Sequence, residues 1–452
     1  MMLPDGSVTR RLSPGEHDPR RTCCAGVRLT AFAECVHLVA GMVRLRRSDD
    51  RMGDKMKNYV ALVVVALVAA TGSAGEWPRF LGQNADGFAP DKGINKDWAQ
   101  KPPKLLWKVA MYDRAEKFRG YAGPSVSGGK VFFIDHQANQ AVVRAIGLKD
   151  GAQAWEAKFD AGVEPCNCTP LVDSGNLYFV TARGTVFCAT AAKGEVVWKV
   201  DLVSEYGSVP PQWKHAWSPV TDGAALLLTA GGPDATVVAL DKATGKLMWK
   251  GGKTDGAGYA PVVPGTIAAK KRYILSAQTT IQAVGSDGAL LWTFPWVNQW
   301  NVNAPAPIVS KDMVFVTSGY DKGCALLDGK TGSPVWQSKD IVSHFSTPIL
   351  HDGHLYCTSD PGRLVCMEFM TGKVKWRKDG FEKGGLCAVD GTIMVLDGKN
   401  GDLAQVALTP EGYKELGRMQ APLGGQSWTA PIVAEGKLII RNKRELACLD
   451  LM

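Results

Sequence analysis

The chain has 452 residues, 45% hydrophobic and 21% charged, with 50 Gly, 25 Pro and 14 Trp. That length would ordinarily suggest about three domains, but β-rich folds run longer as one, and this density of turn residues suits an all-β chain rather than long helices. The formal charge of +8 misleads: residues 1–74 hold 11 Lys/Arg and 7 Asp/Glu, so the chain from Gly75 is only +4, an ordinary solubility charge that makes no case for nucleic acid.

Residues 1–55 carry Arg pairs (Arg10-Arg11, Arg20-Arg21, Arg46-Arg47) and three cysteines without a sustained apolar period. They read as an upstream extension outside the mature protein, with translation starting at Met56. Residues 56–74 then give a charged start at Lys57, an apolar run and the small residues Gly72 and Ala74, the layout of a secretory signal peptide cleaved after Ala74. A membrane span needs about 20 apolar residues, more than this run supplies. No Cys ends the run, so no lipid attachment is expected, and the mature chain is expected to be periplasmic or secreted.

From Trp77 onward one unit repeats. Its clearest copy is Ala239-Leu-Asp-Lys-Ala-Thr-Gly-Lys-Leu-Met-Trp249, with a small residue first, a Thr-Gly turn and a closing Trp. The layout returns at Ala145…Gly151…Trp155, Cys188…Gly194…Trp198, Leu326…Gly332…Trp336 and Cys366…Gly372…Trp376, and one residue shorter at Ala283…Gly288…Trp292. Each copy reads as a β-hairpin whose glycine takes a positive φ, preceded by two further short strands. The tryptophans at 107, 155, 198, 249, 292, 336 and 376 lie 40 to 51 residues apart, the length of one four-stranded blade. A twisted sheet with two apolar faces buries both only by stacking copies around an axis, with indoles wedged between neighbours. Residues 386–416 form a seventh unit that places Leu416 where Trp is expected. Residues 431–451 supply three strands, and 105–109 (Leu-Leu-Trp-Lys-Val) supply the missing fourth. The expected fold is an all-β, eight-bladed β-propeller over 77–452, closed by strands from both ends, which removes exposed sheet edges.

The Trp77-Pro-Arg-Phe-Leu-Gly82 opening, the Pro103-Lys-Leu-Leu-Trp107 strand and the Thr-Gly…Trp units resemble the secreted bacterial PQQ-like propellers, the quinoprotein alcohol dehydrogenase-like superfamily that includes BamB-like proteins. That resemblance implies two activities. One is PQQ-dependent oxidation, which uses Ca²⁺ ligands, an Asp base and a vicinal cysteine pair. The other is scaffolding in envelope protein assembly. The only adjacent cysteines are Cys23-Cys24, upstream of the signal, and no Asp precedes an inner strand as a base would. No cofactor is therefore assigned, PQQ with Ca²⁺ remaining the alternative.

The connections leading to the inner strands converge on the channel mouth, just before prolines 124, 170, 219, 261, 307, 348 and 431. They concentrate aromatic and hydrogen-bonding groups: Tyr121, Glu164, Cys166, Asn167, Cys168, His215, Trp217, Tyr259, Asn301, Asn303, His344, Phe345, Gln426 and Trp428. Such a ring over a funnel is where a ligand is expected. Alternatively, Trp217 and Trp428 cap the channel by packing on each other. Cys166-Asn-Cys168 suggests a metal or a disulfide but lacks a second ligand pair. Cys357 and Cys366 are expected to face each other across a two-residue turn, within reach of a disulfide. His351-Asp-Gly-His354 reads as an exposed turn, and Lys270-Lys-Arg272 and Arg441-Asn-Lys443-Arg444 read as solvated edge protection. The expected role is non-catalytic binding of a protein, peptide or sugar, with quinoprotein oxidoreductase and envelope assembly factor as alternatives.

Overall fold

A computed structural model describes residues 75–112 and 122–452. The leader and the expected start at Met56 lie outside the described residues, as does Tyr121. Eight four-stranded antiparallel sheets follow one another, the first spanning 125–160 and the seventh 386–420. The eighth takes Ile432–Ala434, Lys437–Arg441 and Glu445–Asp450 from the C-terminal end and Lys104–Ala110 from the N-terminal end. Inner strands begin one residue after Pro124, Pro170, Pro219, Pro307, Pro348 and Pro431, because a proline's missing N–H is harmless at the first position of a strand. Among the described residues, one short helix (Leu202–Tyr206), capped by Asp201, interrupts the β structure, and no helix is long and apolar enough to cross a membrane.

The repeated motif is explained by contacts within a blade and between blades. The small residue lies directly opposite the Trp: Ala145 faces Trp155, Cys188 faces Trp198, Ala239 faces Trp249 and Cys448 faces Trp107, each pair followed by a bulge. A small side chain there leaves room for the indole to lean toward the next blade. Its N–H then donates to that blade's backbone, as Trp107 does to Leu148 O (2.9 Å) and Trp292 to Gly329 O (2.8 Å). The motif's glycine receives the indole face. Gly245 has φ +73°, and a Cβ on it would stand 2.8 Å from Trp198. Handedness and close approach both demand glycine.

Blade 7 departs from expectation. The register pairs Gln405 with Gly417, so Gly417 rather than Leu416 occupies the tryptophan position. Trp98, only 4% exposed, fills the space from the N-terminal segment. A Cβ on Gly417 would lie 2.3 Å from the Trp98 Cβ. Gly417→Ala should therefore cost about 2 kcal/mol by overpacking, measured as a shift in urea midpoint. In a Trp98→Gly background the same substitution should add almost nothing, because the Cβ it meets is gone.

That N-terminal segment also closes the channel. Trp77 exchanges backbone hydrogen bonds with Val126 (2.9 and 2.7 Å) on the inner strand of blade 1, and Pro78 O accepts from Val172 N (2.8 Å) on blade 2. Phe88–Ala89 then runs parallel to the inner strand Leu386–Val389 as a fifth strand of blade 7. The segment crosses the interior, and the central channel becomes a blind cup.

The cysteine expectations change. All eight cysteines of the described residues are buried and unbridged. The loop after Ser359 holds three residues before Arg363, which sets Cys366 opposite Tyr356 and Cys357 opposite Val365. One added residue moves the two side chains to opposite faces. Arg441 also departs from its reading as solvated: it is fully buried. Arg272 is half-buried and donates to Gly329 O at 3.0 Å.

Candidate functional site

The connections before the inner strands converge on a cavity of about 720 Å³, within the size range of small-ligand sites. Its floor is Trp77, Phe80 and Leu81, the residues that block the channel. Tyr259, Tyr320, Phe345 and Trp428 stand in the walls with Pro124, Pro165 and Pro261. The rings support one another. Phe345 lies 5.2 Å from Trp428, His344 lies 4.4 Å from Phe345, and Tyr320 meets His344 edge-on at 4.3 Å. Such tilted and edge-on contacts suit the ring quadrupoles and hold the side chains in place.

Polar groups sit at two places on the wall. Glu164 lies 3.5 Å from Lys214 and 3.9 Å from Arg183, beside Asn167, Gln212, Thr169 and Ser218. On a second stretch, His344 Nδ1 is 3.1 Å from Asp360, which fixes the imidazole against the aromatic wall. Lys383 lies 6.0 Å over the Trp428 ring, a cation–π contact.

Of the residues expected at the mouth, Glu164, Asn167, Tyr259, His344, Phe345 and Trp428 line the cavity. Cys166 and Cys168 are instead core residues. Cys168 accepts from Val180 N and donates to Val180 O (3.4 and 3.3 Å), and burial pushes its thiol up to about 12. Asn303 is buried: its amide donates to Ala277 O (2.9 Å) and Trp296 O (3.1 Å), satisfying loop carbonyls. Asn301 turns the same loop at φ +53° without reaching the cavity, and Gln426 is exposed outside it. Trp217 and Trp428 do not pack on each other. Trp217 is buried behind the wall with its indole N–H donated to His215 Nδ1 (3.2 Å).

His215 is equally buried. Since Nδ1 accepts from Trp217, the ring proton sits on Nε2 and donates to Ser208 Oγ (3.2 Å), whose own proton goes to Ala230 O (2.5 Å). Protonating Nδ1 would oppose two N–H groups in an apolar wall. Burial accordingly holds the pKa down to about 4. An unfolded histidine titrates near 6.5, so the unfolded chain binds more protons between those values and stability falls as pH falls from 6.5 to about 4. The loss should total about 3 kcal/mol. His215→Gln should lack this component, seen as a flatter urea midpoint across that window.

The floor residues, Tyr320 and Lys383 were not expected at the site. Trp77-Pro-Arg-Phe-Leu was legible as a signature, and its placement before the first blade strand was the available signal. Tyr320 lies in a turn between middle strands, a class of loop that also reaches the mouth. Among the described residues, no group of three His, Cys, Asp or Glu side chains is placed to hold a metal.

Comparison with known proteins fits this architecture. A family model described as "Outer membrane protein assembly factor BamB" matches residues 139–378 and 327–450. The outer membrane protein assembly factor BamB of Yersinia pestis is 22% identical over 306 residues, 64% of this chain and 75% of that protein. The crystal structure of BamB from Moraxella catarrhalis superposes with a TM-score of 0.56 at 15% identity, covering 77% of this chain and 97% of that one. Quinohemoprotein alcohol dehydrogenase from Comamonas testosteroni superposes at 0.65 with 12% identity, covering 85% and 82%. These low identities speak to the fold alone. The family match spans more than half of the sequence, and the chain belongs to this PQQ-type, BamB-like β-propeller family.

Proposed function

We propose that this protein is an exported, non-catalytic binding module that holds its ligand in the mouth cup. The blind aromatic cavity of about 720 Å³ carries this reading, because a preformed concave site with few, placed polar groups is the form ligand pockets take. Native mass spectrometry of protein purified from its producing cell should reveal a bound compound. Trp428→Arg should release it while leaving the thermal midpoint close to wild type, since Trp428 is only half-buried. Retention of the compound in that variant would refute the assignment.

The residues do not fit a Ca²⁺–quinone group. A hard cation of that kind takes six to eight oxygens, whereas Glu164 is the one carboxylate lining the cavity among the described residues, and it sits between Lys214 and Arg183. Cys166 and Cys168 are separated by one residue and buried away from the cup. A dye-linked alcohol oxidation assay with added PQQ and Ca²⁺ should stay at background.

An envelope-assembly role is the second reading. The family match favours it, and so do exposed apolar side chains on the mouth connections, with Trp213 57%, Trp300 50% and Val209 69% accessible. Affinity capture from envelope extract that depends on Trp213 and Trp300 would favour this reading over small-ligand binding.

A further inference from the structure

We infer that the cup takes the end of a neutral oligosaccharide, an assignment that rests on the binding role just proposed. Three features of the cavity select that class. First, its charged groups already have partners: Glu164 lies between Lys214 and Arg183, and Lys383 lies over the Trp428 ring. A strongly charged ligand would have to displace one of those contacts. Second, the lining combines aromatic rings with planar polar groups. Tyr259, Phe345 and Trp428 present rings, whose negative faces attract the partly positive C–H faces of a pyranose. Glu164, Asn167 and Gln212 present carboxylate and amide groups, which can accept from, or accept from and donate to, adjacent hydroxyls. Third, the floor is sealed by residues 77–81, so the cup admits a chain terminus and not a chain passing through.

An extended peptide is the less suitable occupant. Peptides that bind propeller or sheet edges gain affinity from main-chain hydrogen bonds. On the inner strands of blades 1, 2 and 7, the groups at Val126, Val172 and Ala388 are already taken by Trp77, Pro78 and Gly87. Recognition above that floor falls to side chains, and those present suit hydroxyls and ring faces.

A neutral-glycan array should give saturable hits, and calorimetry with the best hit should show at least tenfold weaker binding for Trp428→Ala and for Glu164→Gln. Thermal midpoints of both variants check that the fold persists. The tripeptide Ala-Phe-Ala and the anionic sugar trigalacturonate serve as comparison probes. Binding of Ala-Phe-Ala without any neutral-sugar hit overturns the ligand class while leaving the cup standing as a binding site. A neutral-sugar hit whose affinity neither variant changes overturns the placement in the cup. Absence of any array hit, or tighter binding of trigalacturonate than of every neutral sugar, also overturns the proposal.

Discussion

Deleting residues 445–452 should abolish the cooperative thermal unfolding transition. The strand Glu445–Asp450 is the middle member of the closing blade, paired with Lys437–Arg441 on one side and Lys104–Ala110 on the other. Its removal separates the only N-terminal strand of that blade from the remaining two. Leu446, Leu449 and Leu451 are at most 1% exposed, and burying each contributes about 2 kcal/mol. The two hydrogen-bonded ladders add to this, and Trp107 loses the strand that aims it at Leu148 O. The sum approaches the total stability of about 5–15 kcal/mol typical of a native domain. Differential scanning calorimetry gives the readout, with loss of the endotherm as the expected result. A milder companion is Trp107→Ala, which keeps the strand and should cost about 3–5 kcal/mol. An unchanged endotherm after the deletion would mean that the ring is held without this closure.

The blade count and the closure were legible because their determinants are local and repeated. A small residue, a Thr-Gly turn and a Trp recur at fixed spacing, and proline marks each inner strand but those of blades 4 and 7 within one residue of its start. What was not legible depends on distant partners. The vacancy at Gly417 is filled by Trp98, 319 positions away, and nothing near Gly417 announces it. At the mouth, residue type suggested a site but could not give side-chain direction. His215 and Asn303 look like Tyr259 and His344 in sequence. The first two turn inward because buried loop carbonyls and hydroxyls need partners, whereas the other two face the cup. The same distinction separates Arg441 from Lys443 and Arg444: three basic residues within four positions suggest a solvated run, but only one of them is drawn into the core.

Arg441→Ala should destabilise the protein by about 4 kcal/mol. The guanidinium lies at the seam between blades 8 and 1, where it donates to Ala122 O (2.7 Å) and Ile134 O (2.9 Å). Ala122 lies three residues before the first inner strand, and Ile134 lies two residues beyond the last position of its own strand that the inner strand reaches. Arg441 therefore ties backbone that the first sheet leaves to the mouth, and its backbone carbonyl in turn accepts from Ser427 Oγ (2.6 Å). Alanine creates a large cavity and withdraws donors from two buried carbonyls, each costing about 1–3 kcal/mol when left unsatisfied. Arg441→Met separates these contributions: it restores most of the volume and removes the cost of burying a charge, so it should lose only about 2 kcal/mol. Chemical denaturation of both variants gives the comparison. Equal losses would mean that hydrogen bonding dominates at the seam, whereas a neutral methionine variant would mean that the side chain serves only to fill space. The intermediate result is expected because the Ala122 and Ile134 carbonyls lie beyond the pairing of the first inner strand, and a long, charged donor from blade 8 reaches both.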